Sequence, residues 1–174
     1  MGYFLGDDTA KEEGRISLNP IRHIDPLTTI VLPIITLLIF KVPILAAKPV
    51  PFNPERVKYE EFGAAMIAAA GPLTNLLLAV VGSVVLMLGK GAMTADLLQI
   101  VGIFVIINVG LFVFNMLPVP PLDGSRVLYA FSPEPLQKLL ASLEQFGLFI
   151  VIALVLAAPT LIVELNNKVL SLLL

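Results

Sequence analysis

The chain has 174 residues, 57% of them hydrophobic and 14% charged, where soluble domains carry about 25% charged residues. That apolar surplus exceeds what a water-soluble globule of this size can hide, so lipid is part of its solvent. A net charge of −2, no cysteine and a single histidine, His23, exclude a basic nucleic-acid footprint, thiolate or disulfide chemistry, and any site needing two histidines from these residues.

The chain opens on a charged stretch. Asp7, Asp8, Lys11, Glu12, Glu13 and Arg15 leave no room for the apolar region of a secretory signal. In GRISLNPIRHIDP, 14–26, Ile16 and Leu18 alternate with polar neighbours, which predicts a short strand-like segment at 14–20 closed by a turn at Asn19-Pro20. His23 and Asp25 stand two residues apart and are a candidate metal pair. The competing role for His23 is a hydrogen bond to backbone or carboxylate at the membrane interface.

The apolar stretch 27–47 is interrupted by Pro33, Lys41 and Pro43. It reads either as a kinked span or as a re-entrant element that enters and leaves on one side. If it crosses, Lys and Arg divide as five (Lys11, Arg15, Arg22, Lys90, Lys168) against six (Lys41, Lys48, Arg56, Lys58, Arg126, Lys138). If it is re-entrant, the last six join Lys11, Arg15 and Arg22, making nine against two. The positive-inside rule selects the re-entrant form. It places the polar, proline-rich loop at 47–62, and with it the 41–61 and 118–144 loops, in the cytoplasm.

Three uncharged stretches follow, bounded by Glu61 and Lys90, by Asp96 and Asp123, and by Glu144 and Glu164. Each approaches or exceeds the roughly 20 apolar residues that cross a bilayer. They predict transmembrane helices at 64–88, 97–117 and 145–163, with 164–174 as an amphipathic tail continuing the last. The expected fold is therefore an all-α membrane protein of one domain.

Polar residues inside these stretches are candidates for function. In AAAGPLTN, 68–75, Gly71 and Asn75 are four apart and share a helix face. A small residue beside an amide suits close helix packing, and Pro72 kinks the helix there. Asn108 and Asn115 share a face of the next helix. They are placed to pair with Asn75, or Asn115 to hold a substrate strand. In NMLPVPPLDG, 115–124, three prolines break the helix, and irregular backbone at membrane depth survives only beside protein or a water-filled cavity. Asp123 ends that break with Gly124 beside it. An ionisable residue there is a candidate metal ligand or proton carrier; otherwise it caps a helix at 124–130 or pairs with Arg126.

The ordered motifs LGDDTAK (5–11), GRISLNPIRHIDP, AKPVPFNP (47–54), AGPLTN (70–75) and NMLPVPPLDG together resemble the site-2 protease family, the intramembrane zinc metalloproteases. The likeness runs from about residue 3 to residue 130 and is to the compact prokaryotic members. It implies that zinc is held by two histidines of an HExxH helix and by the aspartate of the LDG motif, here Asp123. The HExxH glutamate then activates the zinc-bound water that attacks a transmembrane substrate helix. It further implies supporting roles for Gly71, Asn75, Asn115 and Gly124, a prokaryotic cell-membrane location, a transmembrane substrate protein and membrane lipid as partners, and presentation of the unwound substrate near 14–20.

One departure is plain. No HExxH is present, and His23 lies in the HIDP segment. In related chains the HExxH helix precedes the LGDDTAK-like segment, and Met1–Leu5 resembles its last turn, so the expectation is an N-terminally truncated chain. A catalytic zinc site takes three protein ligands, and these residues then supply one, so the expected activity of this polypeptide alone is none. The alternative is a non-catalytic homologue that binds membrane helices. An in-frame HExxH upstream of the Met1 codon marks the first reading; a stop codon with a ribosome-binding site marks the second. A transporter or channel subunit using Asp123 accounts for none of the motifs outside LDG.

Overall fold

The computed structural model describes residues 1–17, 19–40, 53 and 56–174. Every regular element among them is helical, and the chain divides into two compact units, Met1–Glu60 and Glu61–Leu174.

In the first unit, Gly2–Leu5 forms a 3-10 turn ended by Gly6 at φ 93°, and helix α1, Thr9–Glu12, follows. No strand forms among the described residues of 14–20. Instead Arg15 Nη1 donates to the Arg22 carbonyl at 2.6 Å and Arg22 Nη1 to the Gly14 carbonyl at 3.3 Å. These bonds close the segment on itself as a loop, and Pro20–His23 turns as a 3-10 helix with Asn19 as its cap. Asp25 Oδ1 accepts from the Leu27 amide at 2.8 Å, satisfying an orphan donor at the start of a helical run. A π-helical turn at Pro26–Val31 leads into α2, Leu32–Phe40. The remainder of the expected re-entrant element, 41–47, lies outside the described residues.

A buried carboxylate ties the ends of this unit together. Asp7 is 2% exposed. It accepts from the Thr9 amide at 3.1 Å, the Thr9 hydroxyl at 2.5 Å and the Asn53 amide at 3.0 Å. Burial pushes its carboxyl up, but these hydrogen bonds and the nearby Arg56 charge together bring it below its ordinary value of 3.8. The Lys58 amide donates to the Leu5 carbonyl at 2.8 Å, and Arg56 pairs with Glu12 at 3.2 Å.

The second unit is built on two long helices, α3, Glu60–Gly89, and α4, Ala95–Asn115. At 1.5 Å per residue they measure roughly 45 and 32 Å, long enough for a hydrocarbon core of about 30 Å. Both are apolar enough to cross a membrane. Each exceeds the expected bounds by a few residues at its N-terminus, because Thr94 caps α4 by accepting from the Leu97 amide and the charged Glu60 and Glu61 continue the α3 spiral. The two helices meet where side chains are small. A Cβ on Gly82 would stand 2.7 Å from Val105 Cγ2, and Ala79, Val105, Val109 and Val113 form the buried core.

Past the proline break come α5, Asp123–Ala130, and α6, Glu134–Glu144. Then follow α7, Gly147–Ala157, and α8, Pro159–Leu173. The expected third span, 145–163, is therefore not one helix. Ala158 leaves helical geometry at φ −131° and ψ 46°, as expected of a residue preceding proline. At 11 residues, α7 alone covers roughly 16 Å. It and α6 qualify as a span only as a pair bent by 91°. The C-terminal residues are helical as expected, but as α8, whose Leu165, Val169, Leu170 and Leu173 pack against the α3–α4 core.

Candidate functional site

The LDG segment is placed by the helices on either side of it. α4 ends at Asn115, and hydrogen bonds from the Val119 amide to Leu117 O at 2.8 Å and from the Leu122 amide to Val119 O at 2.9 Å turn the chain through the prolines. The Pro120–Pro121 peptide is cis. α5 then starts at Asp123 with Leu122 as its extended N-cap residue. Gly124 is pressed against the end of α4. A Cβ there would stand 2.3 Å from Met116 O, 2.5 Å from Met116 C and 2.6 Å from Leu117 O. All three neighbours are backbone, so only glycine allows α5 to begin so close to α4.

This approach sets Asp123 against α3. Its Oδ2 lies 3.8 Å from the point where a Cβ on Gly71 would stand. The carboxylate is half-buried and accepts no hydrogen bond among the described residues. Burial pushes its carboxyl up from the ordinary value, and the positive charge of Arg126 opposes that. The N-cap position belongs to Leu122, and Arg126, whose charge reaches Asp123, also forms an ion pair with Glu144 of α6.

The other expected residues fall out differently. Gly71 and Asn75 do share a face of α3, and Asn75 makes no hydrogen bond among the described residues. Asn108 and Asn115 do not pair with it. Their amides donate back into α4, to Phe104 O at 2.8 Å and Leu111 O at 2.9 Å, as amides can when they lack a partner across the helices. His23 closes the Pro20–His23 turn, and its side chain lies outside what is described. Asp25 serves as the cap of the following turn.

Two further contacts of this region were not legible in the sequence. Gln137 Nε2 donates to Glu61 Oε2 at 2.9 Å and to Tyr129 O at 3.1 Å, tying α6 to α3 and α5. The Pro121 ring also sits against buried Gly147, at the start of α7. No local pattern marks either pair, since 76 residues separate Gln137 from Glu61.

Among the described residues no group of three His, Cys, Asp or Glu side chains is placed to hold a metal ion. Asp123 offers one carboxylate, and the donor set does not amount to a zinc centre.

Residues 81–158 match the family described as Peptidase family M50. That stretch contains Asn115, Asp123, Gly124 and Gly147 but stops short of Gly71 and Asn75. The chain is 36% identical over 166 residues to the "Putative zinc metalloprotease YwhC" of Bacillus subtilis, covering 91% of this chain and 72% of that protein. It is 40% identical over 100 residues to a "Putative zinc metalloprotease" of Methanocaldococcus jannaschii, covering 57% and 50% respectively. With the "Putative zinc metalloprotease Rip2" of Mycolicibacterium smegmatis it shares 29% identity over 167 residues, covering 90% and 59%. The chain thus spans less than two thirds of the last two relatives. No solved structure matches it significantly.

Proposed function

Because the chain belongs to peptidase family M50, the site-2 protease family, we propose that it serves intramembrane proteolysis, the hydrolysis of peptide bonds within transmembrane helices, with Asp123 as a metal-ligating carboxylate. The state of Asp123 carries this reading. A half-buried carboxylate, pinned beside α3 by the Gly124 contact and still open to solvent, is suited to ligate a cation. The relatives' names imply zinc by family. A single histidine among 174 residues means that these residues do not supply the two histidines of an HExxH helix. The polypeptide alone therefore cuts nothing.

Gly71 and Asn75 leave an open face on α3 beside the carboxylate, which suits a further helix or an unwound substrate segment, and Asn115 and Gly124 support the site from the α4 side. The partners are a transmembrane substrate protein and lipid. A net charge of −2 gives no reason to add nucleic acid. The setting is a prokaryotic cell membrane, with the 41–61 and 118–144 loops on the cytoplasmic face.

The test is reconstitution. Supplied with an HExxH helix joined ahead of Tyr3, the chain should cleave a tagged transmembrane substrate in a metal-dependent manner, and Asp123→Asn should remove the cleavage. Cleavage that survives Asp123→Asn refutes the ligand assignment. Metal-dependent cleavage by the 174 residues alone refutes their inactivity. The same shortage of ligands favours a second reading, a homologue that binds membrane helices without cutting. It predicts capture of the substrate helix by the supplied chain with no product.

A further inference from the structure

The corner between α6 and α7 bears directly on Asp123. The two helices meet at 91°, and the first residue of α7, Gly147, is buried. A Cβ there would stand 2.7 Å from Pro121 Cδ, 2.8 Å from Cγ and 3.0 Å from Cβ. The Pro121 ring thus occupies the space that any other residue at 147 would fill with its own side chain. Pro121 is two residues before Asp123, and the Leu122 amide hydrogen-bonds to Val119 O at 2.9 Å, so the turn moves as a piece. On its other side the same segment is held by Gly124 against the Met116–Leu117 carbonyls. Asp123 therefore stands between two contacts that each require the absence of a side chain.

We propose that Gly147 is a positioning residue for Asp123: by leaving room for the Pro121 ring, it sets the distance between the Asp123 side chain and Gly71 of α3. The ring is part of a short, bonded turn, not the free end of a flexible side chain. A methyl at 147 therefore shifts the turn and carries Asp123 with it. The importance of that distance rests on the reading of Asp123 as a metal ligand; the distance itself does not.

The absence of cysteine from these 174 residues allows a direct measurement on this chain in detergent or nanodiscs. The pair Gly71→Cys and Asp123→Cys reports the distance through its rate of disulfide formation, which is steep in Cβ separation. A second pair, Gly110→Cys and Asn166→Cys, reports packing of α4 on α8, where a Cβ on Gly110 would lie 3.6 Å from Asn166 Nδ2. Adding Gly147→Ala should slow the 71–123 disulfide about tenfold and leave the 110–166 rate within about twofold, the scale set by overpacking a close contact. Adding Pro121→Ala, which removes the two nearest ring atoms, should restore the 71–123 rate to within about threefold.

An unchanged 71–123 rate in Gly147→Ala overturns the proposal, as does a failure of the parent pair to cross-link. Equal slowing of both pairs overturns it too, since Gly147 then supports the fold at large. Slowing without rescue by Pro121→Ala refutes the route through the ring. Asp123 is absent from these variants, so the outcome is independent of whether it binds metal. Cleavage that survives Asp123→Asn in the reconstitution above, with these rates as expected, counts against the ligand reading alone.

Discussion

Gly124→Ala probes how closely α5 is packed on the end of α4. The added methyl would stand 2.3, 2.5 and 2.6 Å from three backbone atoms of Met116 and Leu117. Ordinary contact begins near 3.4 Å, so the shortfall is roughly 1 Å against atoms that cannot rotate away. Overpacking of this kind costs about 1–3 kcal/mol, and rigid backbone on the receiving side places Gly124→Ala at the upper end. About 3 kcal/mol is roughly a hundredfold in the unfolding equilibrium. The matched control is Gly102→Ala on α4, where a Cβ meets nothing within 4 Å. There alanine should be neutral or stabilising by about 0.5–1 kcal/mol, as in any helix interior. Both are read by SDS-induced unfolding in mixed micelles. If the two variants unfold at the same SDS fraction, α5 does not start where the close contact puts it, and the placement of Asp123 falls with it.

Asp7→Asn keeps the size of the buried side chain but leaves one acceptor oxygen for the two sides and turns an NH2 donor toward either the Thr9 or the Asn53 amide, so it should cost about 1–3 kcal/mol and raise hydrogen exchange at one of those amides; unchanged exchange at both refutes the tie. Because the Asp7 carboxyl lies below 3.8 in the folded chain, its contribution is fully present above that value and is lost as pH falls through the lowered one. Protection of the Asn53 amide should therefore persist at pH 4.5 and fade in stronger acid. Cysteines at Asp8 and Lys48 should react with an impermeant maleimide from the same face of the membrane, and labelling from opposite faces would sink the re-entrant reading of 27–47.

What the sequence disclosed follows from the range of the forces involved. Charge-free stretches are set by lipid, which acts on every residue separately. The bounds of α3 and α4 were accordingly readable to within a few positions. The break at Ala158 was not, because the count of apolar residues is blind to one proline placed where a neighbouring helix can begin. The 14–20 strand failed for a related reason: alternation of Ile16 and Leu18 states a preference, while the Arg15 and Arg22 bonds to opposite backbone carbonyls decide the outcome. Asp123 stood out in the sequence because a carboxylate after a proline break is costly to leave in lipid. Gly147 was not, since its meaning depends on a ring 26 positions earlier.

The carboxylate of Asp123 brings the folded chain one gain and one cost, and their sizes can be set side by side. At the first position of α5 it gains from the helix dipole, worth about 0.3–1 kcal/mol at a helix N-terminus. Against this stands the loss of hydration with no donor in exchange, about 1–3 kcal/mol for a buried group and toward the lower end here, since the side chain is only half-buried and water still screens it. The two nearly cancel, so stability alone does not favour an aspartate at 123. Asp123→Asn should then leave the unfolding midpoint of the metal-free chain within about 1 kcal/mol of the parent, measured in the same SDS titration. A loss well beyond that means the carboxylate is part of the packing and refutes its role as a ligand. Near-neutrality, joined to loss of cleavage in the HExxH-supplied chain, places its benefit in a bound cation.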